Sequence, residues 1–566
     1  MIDFKQIIAE IIADKIDKIK HNNILDLIEI PPNENMGDLA VPCFQFAKLL
    51  KKSPAQIAEN LVKEIEDNAH FSQIKNLGPY INFFINKKLM AKEVLEEIYS
   101  QKELYASSNL GKGQNVVIDY SSPNIAKPFH VGHLRSTVIG NSLYKIYEFL
   151  GYNPIGINHL GDWGTQFGKL ISAYLKWGND QEIKNEPIQT LLKLYVKFHS
   201  EAENNPELDD QGRHWFKKLE DGDPNAARIW QWFIELSLEE FNKIYELLGV
   251  NFDYNTGESF YNDKMDAVVK ILKKINLLQK SQGAYVVDLE KYDMPACLIL
   301  KSDGASLYPT RDIAAAIYRK KTFNFVKALY VTDYSQSLHF KQWMKTIELM
   351  GFDWAKQLEH VPFGRVSTEE GALKTREGHV ILLKDLLNNA IQKVKDIIDE
   401  NNPALKDKDK IARMVGVGAV IFNDLSNSKI KDIVFNWDRM LSFDGETGPY
   451  VQYTHARACS VLRKASTKIT TLSDYNELSN DQAFSIIKLL YSFPETIIRA
   501  MQKNEPSFIS RHIIDIAQEF NRFYHEYTIL TDDKKQRQAR LLLAYAVKIV
   551  LKTGLNLLGI EAPDKM

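Results

Sequence analysis

The sequence predicts a multidomain chain combining α/β and all-α architecture, and three observations carry that prediction. Its 566 residues exceed what one ordinary hydrophobic core accommodates. The short apolar run VVI at Val116–Ile118 passes into a helical pattern and then into a second short run, PIGIN, which reads as strand, helix, strand. Beyond about residue 386 nearly every segment has helical periodicity, separated by lysine- and asparagine-rich loops. A small N-terminal α/β module, a central parallel-sheet domain with an insertion, and a C-terminal helix bundle follow from these.

Taken in order, the first twenty residues place Phe4, Ile7, Ile8, Ile11, Ile12, Ile16 and Ile19 at helical spacing, an amphipathic helix that should dock. Short apolar runs such as GPYINFFIN continue to the turn-prone ASSNLGKGQN, so the N-terminal module is expected over residues 1–108. The central domain is expected over 109–385. Its helix from about Val131 to Leu150 ends where Gly151 can cap it. Helical, tryptophan-rich text around RIWQWFIELSLEEF marks an insertion at about 166–305, after which ALYVTDY and HVPFG read as further strands. The remaining segment, 386–566, is the helical domain, its core part from about residue 450, and Leu541–Leu558 is apolar around most of its circumference.

Bulk composition excludes several function classes. With 71 basic and 73 acidic residues the formal charge is -2, so any polyanion must be held by local patches. Cys43, Cys297 and Cys459 stand far apart, which supports neither a disulfide framework nor a cysteine-rich zinc site. No apolar run reaches the length of a bilayer span, and the acidic residues in MIDFKQIIAEIIADK are unlike a signal peptide. A reducing cytoplasm is the expected compartment.

The chemistry concentrates in SSPNIAKPFHVGHLRST, at the connection from the first strand to the first helix. His130 and His133 share a helix face, which raises a metal site; no third ligand stands at a recognisable spacing, so no bound metal is expected. A phosphate suits the position better, because helix N-termini offer backbone N–H groups and positive potential. Gly132 permits close approach, and Lys127 adds a cation.

These residues resemble the first signature of class I aminoacyl-tRNA synthetases, in the form used by the arginyl enzymes. HLGDWGTQFG, LYPTRDIAAA, FDGETGPYVQYTHAR and the closing GLNLLGIEAPDKM resemble the same family in the same order, so the resemblance spans the chain. It implies a Rossmann-type catalytic domain, ATP with Mg²⁺ as substrate, L-arginine and a tRNA for arginine as partners, and a monomer without a membrane anchor. It further implies that tRNA must be bound before arginine is activated. A synthetase for another amino acid, a non-catalytic tRNA-binding relative and a nucleotidylyltransferase sharing the nucleotide motif are the rival readings; the last leaves the helical C-terminal third without a purpose.

By position within these blocks, the resemblance implies that His130, Gly132, His133 and Lys127 bind ATP. Family enzymes often carry a second loop of the Lys-Met-Ser-Lys-Ser kind; here GALKTREGHVILLKDLL stands in its place. Lys374 survives, Arg376 and Glu377 replace a second lysine, and Lys127 is implied to supply the missing charge. Ser122, Asn124, Glu258 of TGESF, Tyr308, Asp312 and Gln336 of DYSQSLHF resemble the arginine pocket. Glu258 and Asp312 have the sign a guanidinium requires. His159, Asp162 and Gln166 line a neighbouring block whose role is either substrate contact or a tight turn. For tRNA, the resemblance implies Tyr80 and Asn82 in LGPYIN, with Leu77 departing from the polar residue of some relatives, and Tyr450, Tyr524 and Met566 in the C-terminal domain.

Overall fold

A computed structural model describes the chain except for residues 1, 17–20, 66–67, 303–306, 369–370 and 373–381. It divides into two compact units. One comprises residues up to 105, 457–493 and 515–551; the other comprises 106–456, 494–514 and 552–566.

The second unit is built on a five-stranded parallel sheet. Its strands are β1 (Asn115–Asp119), β2 (Asn153–Asn158), β3 (Tyr254–Asn255), β4 (Lys327–Asp333) and β5 (Leu358–Phe363), in the order β5-β4-β1-β2-β3. Val116, Val117 and Ile118 are wholly buried, as a strand covered on both faces requires. Helix α1 (Val131–Phe149) makes the crossover to β2, and Gly151 then turns the chain with φ 79°. Gly140 lets α1 approach the end of β1, since a Cβ there would stand 2.2 Å from the Tyr120 Cβ. Between β2 and β4 the chain returns to the sheet at β3, whose pairings Ile157↔Tyr254 and Asn158↔Asn255 are too short for periodicity to announce.

From β1 the chain moves to one side through β2 and β3, then crosses to the other side for β4 and β5. The reversal leaves a crevice beyond the carboxyl ends of β1 and β4, where open α/β sheets bind their ligands. Helix α2 (Tyr308–Phe323) precedes β4 by a short turn, so its N-terminal residues lie at the carboxyl edge of the sheet. One face of the sheet, through Val117, Ile155, Ala328 and Tyr330, packs with Ile313 and Ala316 of α2. Phe340, Trp343 and Ile347 of helix α3 (Ser337–Leu349) complete that core.

Helix α4 (Lys408–Leu425) belongs to the same unit and meets α1 through a buried ion pair. Arg135 Nε stands 3.2 Å from an Asp424 oxygen, with both side chains almost wholly buried. Arg135 Nη1 also donates to the Lys431 carbonyl at 2.7 Å. Burial raises the Asp424 carboxyl and the Arg135 charge lowers it, so the two groups depend on each other.

In the first unit, strands Leu39–Pro42, Tyr80–Ile85 and Phe71–Leu77 form an antiparallel sheet with the middle one central. The N-terminal helix Phe4–Lys15 is capped by Asp3, which accepts from the Gln6 N–H at 3.0 Å, and it buries Phe4, Ile8 and Ile12. Segments distant in sequence complete this unit. Tyr105 Oη donates to the Leu490 carbonyl at 2.8 Å, and Tyr475 Oη donates to Glu96 at 2.9 Å. Among the described residues, no helix is long and apolar enough to cross a membrane.

The buried pair predicts a non-additive response. Asp424→Leu alone should destabilise the unit by about 3–5 kcal/mol, because it strands the Arg135 charge, whereas Arg135→Met with Asp424→Leu should recover most of the loss. Urea unfolding followed by tryptophan fluorescence measures the difference.

Candidate active site

The site grows out of the loop between β1 and α1. Ser121, Ser122 and Ala126 all have left-handed backbones, with φ 68°, 52° and 58°. Non-glycine residues hold that conformation only where their surroundings compel it. Here they do. The Ser121 N–H donates to Ser136 Oγ at 2.9 Å, Ser121 Oγ bonds Tyr245 Oη at 2.8 Å, and the Ser122 N–H donates to Asn158 Oδ1 at 3.2 Å. The Ala126 N–H donates to Ser237 Oγ at 3.0 Å.

His130 is the N-cap of α1, and the two histidines cap the helix reciprocally. His130 Nδ1 accepts the Gly132 N–H at 3.0 Å, and His133 Nδ1 accepts the His130 N–H at 3.2 Å. Each ring therefore carries its proton on Nε2, a tautomer assigned from the network. The ring centroids lie 4.0 Å apart, and Phe129 stacks on His133 at 5.1 Å. A side chain at position 132 would collide with the His130 ring, since a Cβ would stand 2.7 Å from its Cε1. Burial, the neighbouring His130 and Lys127 take the His133 pKa down to about 3, and burial lowers that of His130. Both imidazoles are thus neutral N–H donors around pH 7. Lys127 is half-buried, and burial lowers its ammonium pKa.

The backbone at Phe129 and His130 also meets Leu382 and Leu383, just past the second loop. His130 forms an isolated bridge with Leu382, and the Leu383 N–H donates to the Phe129 carbonyl at 3.0 Å. Lys374, Arg376 and Glu377 lie outside the described residues.

Behind the loop, Asp119 ends β1 and pairs with Arg319 of α2, Nη1 to Oδ2 at 2.7 Å, both side chains buried. Its other oxygen accepts from Ser122 Oγ at 2.9 Å, and that hydroxyl accepts the His159 N–H at 3.2 Å. His159 donates from Nδ1 to the Thr256 carbonyl at 3.1 Å. Asp162 is buried with both oxygens occupied, by the Ser259 N–H at 2.8 Å and by Ser259 Oγ at 2.6 Å. Its effect is to fix the turn carrying Glu258. Gln166 lies near the start of the helix Thr165–Trp177, half-buried.

Two carboxylates line this side, and each has one oxygen held by the chain itself. Arg311 Nη1 donates to Glu258 Oε2 at 3.0 Å, and His339 Nε2 stands 2.6 Å from Asp312 Oδ2. Among the described residues, Glu258 Oε1 and Asp312 Oδ1 accept no hydrogen bond. Burial pushes the Glu258 carboxyl up to about 7; Arg311 opposes the rise, while Asp312 and Asp162 add to it. Tyr308 opens α2 and is 64% exposed, its ring 5.9 Å from the Arg311 guanidinium carbon. Gln336 is exposed in the turn after β4, and Asn124 is exposed in the loop after β1.

Sequence reasoning singled out neither Arg311, His339, Asp119 nor Arg319. A signal existed for the last two: Asp119 closes an apolar strand, and Arg319 interrupts an otherwise small and apolar helix face.

The remaining named positions fall in both units. In the first unit, Tyr80 meets Phe44 edge-on at 5.8 Å, and Asn82 is buried with its amide donating to the Met36 carbonyl. Leu77 is 37% exposed at the end of its strand. Tyr524, also in that unit, lies under the Arg457 guanidinium at 5.0 Å. In the second unit, Tyr450 begins the helix Gly448–Ala465 with its N–H on Thr447 Oγ1, and Met566 is half-buried.

The arrangement joins a neutral donor pair at a helix N-terminus to a pair of carboxylates each with one open oxygen. It suits a polyanion on one side and a cation on the other. Residues 94–437 match the family model described as tRNA synthetases class I (R), catalytic domain. Residues 5–85 match the arginyl tRNA synthetase N terminal domain and 451–566 the DALR anticodon binding domain. A curated arginine–tRNA ligase of Alkaliphilus metalliredigens is 58% identical over 566 residues, covering 100% of both chains. The solved arginyl-tRNA synthetase of Plasmodium falciparum is 27% identical with TM-score 0.81, covering 99% of this chain and 98% of that one. That of Thermus thermophilus, 24% identical and covering 100% of both, shares the fold with TM-score 0.82. With a catalytic-domain match over residues 94–437 and 58% identity to an arginine–tRNA ligase over the whole of both chains, the chain belongs to the class I arginyl-tRNA synthetase family.

Proposed function

We propose that this chain activates L-arginine with ATP and passes the arginyl group to a terminal ribose hydroxyl of its tRNA. A carboxylate oxygen of arginine attacks the α-phosphorus; the bond to the bridging oxygen breaks, and pyrophosphate leaves with that electron pair. The tRNA hydroxyl then attacks the carbonyl of arginyl-adenylate and AMP departs. ATP enters as its Mg²⁺ complex, the ion being carried by the phosphates as part of the substrate. The observation that carries this reading is the reciprocal cap, which commits both Nδ1 atoms to the backbone and leaves two Nε2–H donors at a helix N-terminus.

On this reading, His130 and His133 donate to phosphate oxygens as charge accumulates there, and Gly132 gives the nucleotide room. Neither histidine serves as a base, since each is neutral with Nδ1 already occupied. Lys127 supplies the fixed charge for departing pyrophosphate, with Lys374 and Arg376 of the second loop adding to it. Glu258 and Asp312 seat the guanidinium through their open oxygens, Tyr308 and Gln336 border it, and Ser122 and Asn124 serve the α-amino and carboxylate end. Tyr80, Tyr450, Tyr524 and Met566 are the proposed tRNA contacts, with exposed aromatic rings such as Tyr524 suited to base stacking; Asn82, buried with its amide on the Met36 carbonyl, supports the strand that carries Tyr80 instead of touching tRNA. A cytoplasmic monomer is the proposed working form.

ATP–pyrophosphate exchange with each of the twenty amino acids, with and without tRNA, tests the reaction. Exchange is expected with arginine alone and only when tRNA is present; exchange supported by another amino acid overturns the specificity. Lys127→Ala should lower exchange about 10²- to 10³-fold while arginine KM stays within about twofold. An undiminished rate would refute its charge role. Arginine KM should also depend on pH. The competent form of Glu258 is the carboxylate, so KM is expected to be level above about 7 and to rise as the pH falls below it. A level KM from pH 6 to 9 would contradict this.

A further inference from the structure

We infer that Arg311 is a positioning residue for the amino-acid pocket: its guanidinium engages one oxygen of Glu258, favouring the carboxylate form, and leaves the other oxygen for the substrate's guanidinium. The inference rests on the reading of Glu258 as an arginine ligand given above.

Glu258 is placed by its backbone before its side chain is considered. Its N–H donates to the Leu160 carbonyl at 2.9 Å, and Asp162 clamps the next residue through both the N–H and the hydroxyl of Ser259. The carboxylate is thus delivered to a half-buried place that disfavours its charge. The charged groups facing it are Arg311 and Asp312 from α2 and Asp162 from the loop after β2, with His339 behind Asp312. Of those that act on Glu258, only Arg311 favours ionisation; burial, Asp312 and Asp162 oppose it. A pocket for a cation needs a carboxylate, and without Arg311 this one would be a neutral acid over much of the physiological range.

The geometry of the pair adds direction to charge. Among the described residues, Arg311 engages Oε2 through Nη1 and leaves Oε1 open, while its own Nε is buried without an acceptor. Arginine–carboxylate pairs are frequently two-point forks that occupy both oxygens. The single contact found here keeps half the carboxylate available. Asp312 is treated alike, with Oδ2 held by His339 and Oδ1 open. A substrate guanidinium offers five donors in one plane and can serve both open oxygens at once. An arginine is well suited to this task because its charge persists at any working pH.

The test uses the full-length chain with tRNA, measuring KM for arginine and for ATP in pyrophosphate exchange from pH 6 to 9. Four variants suffice: Arg311→Met, Arg311→Lys, Arg311→Gln and Glu258→Gln. In Arg311→Met the inflection of arginine KM should move up by at least about one pH unit, with ATP KM unchanged across the range. Arg311→Lys should hold it within about half a unit of the parent. Glu258→Gln should raise arginine KM at least about tenfold and remove the inflection. If Arg311→Met fails to fold, Arg311→Gln takes its place, keeping a donor without the charge, and should show the same displacement. An inflection unmoved in the folded neutral variant, or an equal rise of arginine KM at every pH, overturns the role of Arg311. If Glu258→Gln itself leaves arginine KM unchanged, the assignment of Glu258 fails, and the inference with it.

Discussion

The buried pair between Asp119 and Arg319 is the joint on which the site depends. Asp119 stands at the last position of β1, and Arg319 comes from the helix that delivers Arg311 and Asp312. The second oxygen of Asp119 holds Ser122, and Ser122 holds the backbone of His159. A single carboxylate therefore fixes the loop leading to the histidines, the loop after β2, and the helix bordering the amino-acid side. Two charges removed from water are a costly way to tie elements together. They give directional constraints on three segments at once, which apolar packing does not.

Those constraints explain how strained backbone persists beside the histidines. Ser121, Ser122 and Ala126 adopt left-handed conformations because hydroxyls and an amide of β2, α1 and the insertion take up their N–H groups. The turn then ends at His130 with the chain aligned for helix α1. Here the capping role removes Nδ1 of each ring from chemistry and makes each histidine a donor through Nε2. Burial keeps both rings neutral, so proton donation and acceptance stay separate from electrostatic support.

Much of this was legible in the sequence where the information is local. The strand at Val116–Ile118, the helix closed near Gly151 and the phosphate-seeking turn between them follow from periodicity and residue type within a few dozen positions. The carboxylates Glu258 and Asp312 were named from their blocks, but their internal partners were not. Arg311 sits beside Asp312 in the quoted LYPTRD, yet a cation in a pocket for a cation looks misplaced until its single contact with Glu258 is seen. Asp162 illustrates the same limit: a Gly-Asp-Trp-Gly stretch cannot reveal that both oxygens are taken by Ser259, far along the chain. Nor does local pattern reveal that residues 457–493 and 515–551 fold with the N-terminal module, because Tyr105 and Tyr475 find partners hundreds of positions away. Asn82, named in LGPYIN as a tRNA contact, is buried with its amide on the Met36 carbonyl, a partner 46 positions away that local pattern does not show.

On this reading one crevice holds a triphosphate against the neutral histidine pair and a guanidinium against two half-engaged carboxylates. The most direct measurement is a structure of the full chain with tRNA, L-arginine and an ATP analogue whose α,β-bridge cannot be cleaved. The account predicts phosphate oxygens within hydrogen-bond distance of Nε2 of His130 and His133, and the guanidinium on Oε1 of Glu258 and Oδ1 of Asp312. Phosphates bound away from both rings, or a guanidinium that leaves both open oxygens unfilled, would contradict it.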